Sequence, residues 1–359
     1  MPVRQGKYLA GVMTVAALGA GFATAPAAHA AFGVHVVRAG QSIQAAVDQA
    51  REGDTVYVMP GTYRESLRIS KALTLRGADA GAVVLRPAVG KAVGAANACA
   101  AAGDGICVRG DAGRMVSDVH IESLTVQGFA KNGIDASGTD RMTVRRVTVQ
   151  DNGQQGISQE KSTRAVLADN QAVGNGQSGI FVANLVDAEG GALDTQGTVI
   201  SHNTLMDNKI GATVRRARVM TIENNQVAGN CGGVFVVGDE NNPKAGDLDI
   251  KHNTITANNK YCAATTRLPA MQGIGVLLTG AEDTRVTDNQ IMDNVGTSPM
   301  SGGIVLYPSN VGVANMRNQV SGNVLSGNAP ADVADRDAKG AGNVFTSNTC
   351  KVSEPAGRC

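Results

Sequence analysis

Asparagine returns with a fixed spacing along most of this chain, and that spacing limits the folds open to it. The unit is Asn, any residue, one apolar residue, any two, and Asn again. It runs from Asn170, Ala172 and Asn175 through Asn203, Leu205 and Asn208, then Asn225, Val227 and Asn230. It continues as Asn253, Ile255 and Asn258, as Asn289, Ile291 and Asn294, and as Asn323, Leu325 and Asn328, and closes with Asn343, Phe345 and Asn348. Asn152 to Asn175 is 23 residues and Asn208 to Asn230 is 22, so longer steps mark insertions. A repeat this short cannot bury its apolar side alone and must stack on its neighbours as a solenoid.

The apolar residues between these landmarks alternate with period two. Gly179-Ile180-Phe181-Val182, Gly233-Val234-Phe235-Val236 and Gly303-Ile304-Val305-Leu306 read as one strand per repeat. A second strand ends at each first Asn, with Leu167, Ile200, Ile222, Ile250 and Val286 three residues before it. The third carries the apolar residue between the paired Asn. Three short strands per turn predict an all-β, single-stranded right-handed parallel β-helix, with coils roughly 4.8 Å apart. Asn tolerates the left-handed backbone of a tight corner and bonds its neighbours. Asn170, Asn203, Asn225, Asn253, Asn289, Asn323 and Asn343 are therefore expected to stack as a ladder.

The N-terminus reads differently. Arg4 and Lys7 precede an apolar run from Tyr8 to Phe22, and Ala28-His29-Ala30 provides small residues for cleavage, so residues 1–30 are expected to be a secretory signal peptide. The mature chain, 31–359, then divides into a cap (31–76), loop-rich first coils (77–118), regular coils (119–328) and a partial last coil with its tail (329–359). In the cap, Ile43, Ala46, Val47 and Ala50 share a helical face, Ser42 can cap its start and Gly53 its end. A short helix there would cover the open apolar end of the solenoid.

All six cysteines lie in the exported part, and an even count there favours disulfides. Repeat register brings the loops of Cys231 and Cys262 together, while Cys99 with Cys107 and Cys350 with Cys359 would close local loops. A metal site is the rival reading, without a Cys-x-x-Cys to support it. The net charge of +1 gives no reason to expect nucleic acid, and no later apolar run is long enough to span a membrane.

Gln41-Ser-Ile-Gln-Ala-Ala-Val-Asp-Gln-Ala, Gly53-Asp-Thr-Val-Tyr-Val, Pro60-Gly-Thr-Tyr-Arg-Glu and Ile69-Ser-Lys-Ala-Leu-Thr-Leu-Arg-Gly together resemble the N-terminal signature of the pectin-lyase-like superfamily. Within it the chain resembles right-handed β-helix repeat proteins, among them the periplasmic accessory factor of nitrous oxide reductase and many secreted polysaccharide-acting proteins. The resemblance implies sugar binding along the outer face of the first strand. The outward positions there are Ser158, Phe181, Thr213, Phe235, Leu277, Val305 and Tyr307. Either loops cover this apolar stripe, or it is a protein interface, or Phe181, Phe235 and Tyr307 form a sugar-stacking platform.

Charge gathers beside the stripe. Successive coils bring Asp187, Glu189 and Asp194, then Arg215, Arg216 and Arg218, then Asp239, Glu240, Lys244 and Asp247. A uronate lyase needs such parts: Asp187 and Asp194 would hold Ca²⁺ against the substrate carboxylate, and Arg218 or Lys244 would serve as base. The alternative is solvated loop charge. The sequence lacks the paired-Asp and Gly-His-Gly pattern of polygalacturonases, the Arg-x-Pro-x-x-Arg of pectate lyases and the Asp-Pro-His-Asp of alginate epimerases. His202 and His252 stand two coils apart, too far to share a metal. The expectation is a secreted protein, extracellular or periplasmic, that binds or modifies a polysaccharide, with uronate β-elimination as the specific reaction. The alternative function is a non-catalytic surface or accessory scaffold.

Overall fold

The computed structural model describes residues 32–89, 97–110, 114–184, 190–266 and 268–359. The expected signal peptide and the Asp187 and Glu189 positions lie outside these residues. Phe32 to Cys359 form one compact unit.

The chain winds through three long parallel sheets in turn, and Val116–Ser117 pairs with Thr139–Asp140 in a further two-stranded one. The first sheet has 11 strands from Leu67–Ile69 to Ser353–Glu354, the second 12 from Val34–Val37 to Val344–Thr346, and the third 10 from Gly61–Arg64 to Val324–Ser326. Every strand pairs in parallel with its equivalent one coil on, as in Ile180 beside Ala212 or Leu205 beside Val227. The fold is thus the all-β, single-stranded parallel β-helix expected from the repeat. Thr55–Val58, Gly61–Arg64 and Leu67–Ile69 contribute one strand to each sheet and make the first full turn.

Inward side chains of each sheet form unbroken stacks. Leu167, Ile200, Ile222, Ile250, Val286 and Val320 line the second sheet from within, all with no exposed surface. Each such burial contributes roughly 1.5–3 kcal/mol. The N-terminal end is closed by helix α1 (Ile43–Gln49), whose Ile43 and Val47 join this core. Ser42 caps α1 as expected, and the Glu65 carboxylate adds bonds from the Ile43 and Gln44 amides at 2.7 and 3.1 Å. The helix stops at Ala50 rather than Gly53.

Asparagine does what its spacing predicts, with two corrections. Asn170 to Asn323 form one ladder, each Nδ2 donating to the Oδ1 of the next coil at 2.9–3.0 Å. Its last rung is Asn348, at 3.0 Å from Asn323, and not Asn343. Phe345 lies in the second sheet rather than the third, so the final repeat is displaced by one strand and Asn343 stacks on Asn318. The second Asn of each pair builds a parallel ladder from Asn152 to Asn328. His202 and His252 are exposed corner residues with φ of +56° and +55°.

The three disulfides join Cys99 to Cys107, Cys231 to Cys262 and Cys350 to Cys359. The second links two coils through their loops, and the third closes the C-terminal tail, where the Arg358 guanidinium lies 4.9 Å from the centre of the Phe345 ring.

Candidate functional site

The outer face of the first sheet divides into two halves. Its central outward row runs Arg68, Cys107, Asp135, Ser158, Phe181, Thr213, Phe235, Leu277, Val305 and Ala334, one residue per coil. The second outward row carries Arg109, Ser137, Glu160, Ala183, Arg215, Val237 and Thr279.

The C-terminal half is covered. Phe235, Leu277 and Val305 belong to a second hydrophobic cluster with Met271 and Met300, which come from the insertions 260–272 and 295–301. Cys231–Cys262 fastens one insertion, and Ser301 Oγ donates to the Gln272 carbonyl at 2.6 Å to join the two. Phe181 and Phe235 are 8 % and 3 % exposed, so neither ring faces solvent as a platform. Tyr307 is half-buried at the margin of the same cluster. The Arg216–Asp239 ion pair is buried beside it.

The N-terminal half is polar. Asp135 is buried, accepts from Asn132 Nδ2 at 3.2 Å, and pairs with the half-exposed Arg109 on the neighbouring strand. A buried carboxylate holding an exposed guanidinium in one orientation preorganises it for an incoming acceptor. The buried Asp104 stands close by, accepting from the Asn132 amide at 3.0 Å. Desolvation pushes its carboxyl up, with the nearby Asp135 charge adding to the effect. Asp104 begins a polar chain along the leading edge of the sheet. Gln155 N donates to Asn132 Oδ1 at 3.1 Å, Ser178 N to Gln155 Oε1 at 2.7 Å, and the Ser178 and Thr213 hydroxyls meet at 2.7 Å.

Asp104, Cys107 and Asp135 bring three potential ligand atoms within 4.8 Å of one another. Cys107 is in a disulfide and offers no thiolate, and Arg109 already supplies positive charge to Asp135. A cation is therefore redundant at this point.

Of the charged residues singled out in sequence, Arg215 stands in the second outward row and Arg216–Asp239 beside the cluster, whereas Asp194, Arg218 and Asp247 belong to the second sheet. Asp194 and Arg218 are in register on adjacent strands of the second sheet, with Gly246 next. Arg218 lies 3.9 Å from both Asp247 and Glu282. Arg218 is thus an ion-pair partner of two neighbouring carboxylates. The Lys244 ammonium donates to the Asp239 and Glu240 carbonyls and so holds its own loop. Asp194 Oδ1 accepts from the Gln196 amide at 2.7 Å.

Asp135 and Arg109 escaped the sequence reading because the ladder begins later. Gly133-Ile134-Asp135-Ala136 nevertheless repeats the pattern of Gly179-Ile180-Phe181-Val182, and that was the available signal.

A family model described as a right-handed β-helix region matches residues 95–247. Among solved structures, the chain is similar to the A-module of mannuronan C-5 epimerase AlgE4 from Azotobacter vinelandii, at 19% identity over 87% of this chain and 90% of that one, with a TM-score of 0.57. It is also similar to DFA-IIIase from Arthrobacter chlorophenolicus A6 in complex with GF2, at 14% identity over 86% and 91%, with a TM-score of 0.56. No curated protein sequence matches. The fold is that of right-handed parallel β-helices.

Proposed function

We propose that this protein binds, and in its full activity modifies, an extracellular polysaccharide along the polar half of the first sheet. The observation that supports this most is the Arg109 guanidinium, held outward by buried Asp135 on a face whose other half is closed by loops. Arg68 and Glu160 are the charged neighbours on the same face. A row of hydrogen-bonding groups repeating once per coil suits an extended polymer lying along the axis, and an anchored cation suits an acidic one. The similar solved structures, a mannuronan C-5 epimerase module and DFA-IIIase, add weight to a carbohydrate ligand. Three disulfides fit a secreted or periplasmic location.

The finer reading is β-elimination of a uronate polymer with Ca²⁺ near Asp194. It needs a base other than Arg218, which is engaged with Asp247 and Glu282, or Lys244, which is engaged with carbonyls of its own loop. Calorimetry against acidic and neutral polysaccharides, with and without Ca²⁺, tests the binding. Arg109→Ala is expected to weaken binding of the acidic polymers about tenfold or more. Wild-type protein indifferent to every polymer would remove the proposal, and absence of unsaturated product would remove elimination alone.

A further inference from the structure

Arginine stands twice in succession on the outer face of the third sheet. Arg64 ends the strand Gly61–Arg64, Arg86 ends Val83–Arg86, and the two are in register on adjacent strands. Both face outward, since Tyr63 and Leu85 before them are buried and the arginines themselves are exposed. We infer that Arg64 and Arg86 form a binding site for a tetrahedral oxyanion, a sulfate or phosphate group, on a different face from the one proposed for the polysaccharide.

The first support is charge. Like charges side by side on neighbouring strands are destabilising, so such a pair calls for a compensating negative group. The protein supplies none. Among the described residues neither Arg64 nor Arg86 joins an ion pair, whereas on the second sheet Arg76 is paired with Glu122 and Arg285 with Asp249. The carboxylate next in the chain, Glu65, is turned to helix α1, where it accepts from the Ser42 hydroxyl and the Ile43 and Gln44 amides. Along the rest of the third sheet the outward positions are uncharged, from Thr125 and Gln127 through Thr204 and Met206 to Val324 and Ser326. The two guanidiniums therefore concentrate positive charge at one end of a neutral face.

The second support is geometry. Neighbouring strands lie about 4.8 Å apart, close enough for two outward guanidiniums to grip one anion. Arg86 is held in place: the Gln127 amide, turned with its oxygen towards the arginine, accepts from Nε at 2.6 Å and from Nη2. The Arg64 guanidinium makes no hydrogen bond among the described residues. One guanidinium fills both oxygens of a carboxylate through parallel N–H donors. Two in succession suit a group with more acceptor oxygens, which sulfate and phosphate present both as free ions and as esters.

The test titrates the full chain with inorganic sulfate and with inorganic phosphate, using acetate at matched ionic strength as the planar control, because screening is then equal. Arginine Nε–H signals in nitrogen-labelled protein report binding, and Arg64→Gln and Arg86→Gln assign them. Both signals are expected to shift saturably with sulfate or phosphate, and acetate to bind at least about fivefold more weakly. Each variant should weaken sulfate binding about tenfold. Its thermal midpoint without sulfate should stay level or rise, since a like-charge contact has gone.

Shifts that never saturate would overturn the inference, as would an equal response to acetate. A midpoint lowered by Arg64→Gln would overturn it too, and would assign that arginine to the fold. Dextran sulfate and neutral dextran separate the two sources. Displacement of sulfate by dextran sulfate alone supports the site with a glycan ester as its occupant, and sulfate retained against dextran sulfate supports it with the free ion. Failure of the polysaccharide reading appears in the Arg109 variant and leaves the Arg64 and Arg86 signals untouched.

Discussion

The carbonyl oxygen of Gly211 lies 2.8 Å from the point where a β-carbon on Gly179 would stand, and the Asn208 amide nitrogen lies 3.0 Å from it. Glycine opens the first-sheet strand in coil after coil because the backbone of the next coil and the rung of the second ladder fill the space a side chain needs. Gly179→Ala should therefore lower stability by about 1–3 kcal/mol, as overpacking does. Denaturant unfolding measures it, and an unchanged midpoint would mean that the coils part more easily than the geometry implies.

Asn225 accepts from both the amide and the side chain of Asn203 and donates to Asn253 and the Ile200 carbonyl. Asn225→Leu strands buried donors on one side and leaves acceptors unmet on the other. The expected loss is about 3 kcal/mol or more. Asn348→Leu, at the half-buried end of the stack, should cost only about 1 kcal/mol. Equal losses at the two positions would contradict a buried cooperative ladder.

Gln159 points into the tube between Ala136 and Val182, with no exposed surface, and neither its Oε1 nor its Nε2 meets a partner among the described residues. Gln159→Met keeps the volume and removes the unpaired groups. It should raise stability by about 1 kcal/mol or more, read as a higher thermal midpoint; a lower midpoint would show that the amide is bonded in solution.

Asp54 accepts from the His35 ring, 3.0 Å away, and from the Arg51 and Gly33 amides at 2.9 and 2.6 Å. The His35 contact is the largest influence, and together these bonds lower the carboxyl to about 2. A depressed folded value stabilises the protein above the ordinary aspartate value near 4, and the benefit is lost as pH falls towards 2. Wild type should therefore be more stable than Asp54→Asn at neutral pH, with the gap closing between about pH 4 and about pH 2. Urea midpoints across that range test it, and a constant gap would refute the assignment.

The coil path was legible because it is written locally. Period-two alternation sets which side chains enter the tube, and an Asn every 22 or 23 residues places its corner where stacking alone brings amides into reach. The disulfide between Cys231 and Cys262 followed from the same register. The last repeat misled because Asn343 and Asn348 keep the spacing while Phe345 changes sheet, and spacing alone does not say which corner an Asn occupies.

Sequence by itself determined the winding, the apolar interior and the central outward row from Ser158 to Val305, since each depends on residues one coil apart meeting in a fixed order. Only the tertiary structure decided what covers those rows. Insertions 260–272 and 295–301 fold back over Phe235 and Leu277, while Arg109 stays open over Asp135. A loop's path depends on long-range apolar contacts and on a disulfide, neither of which repeats, so no periodicity in the chain records it.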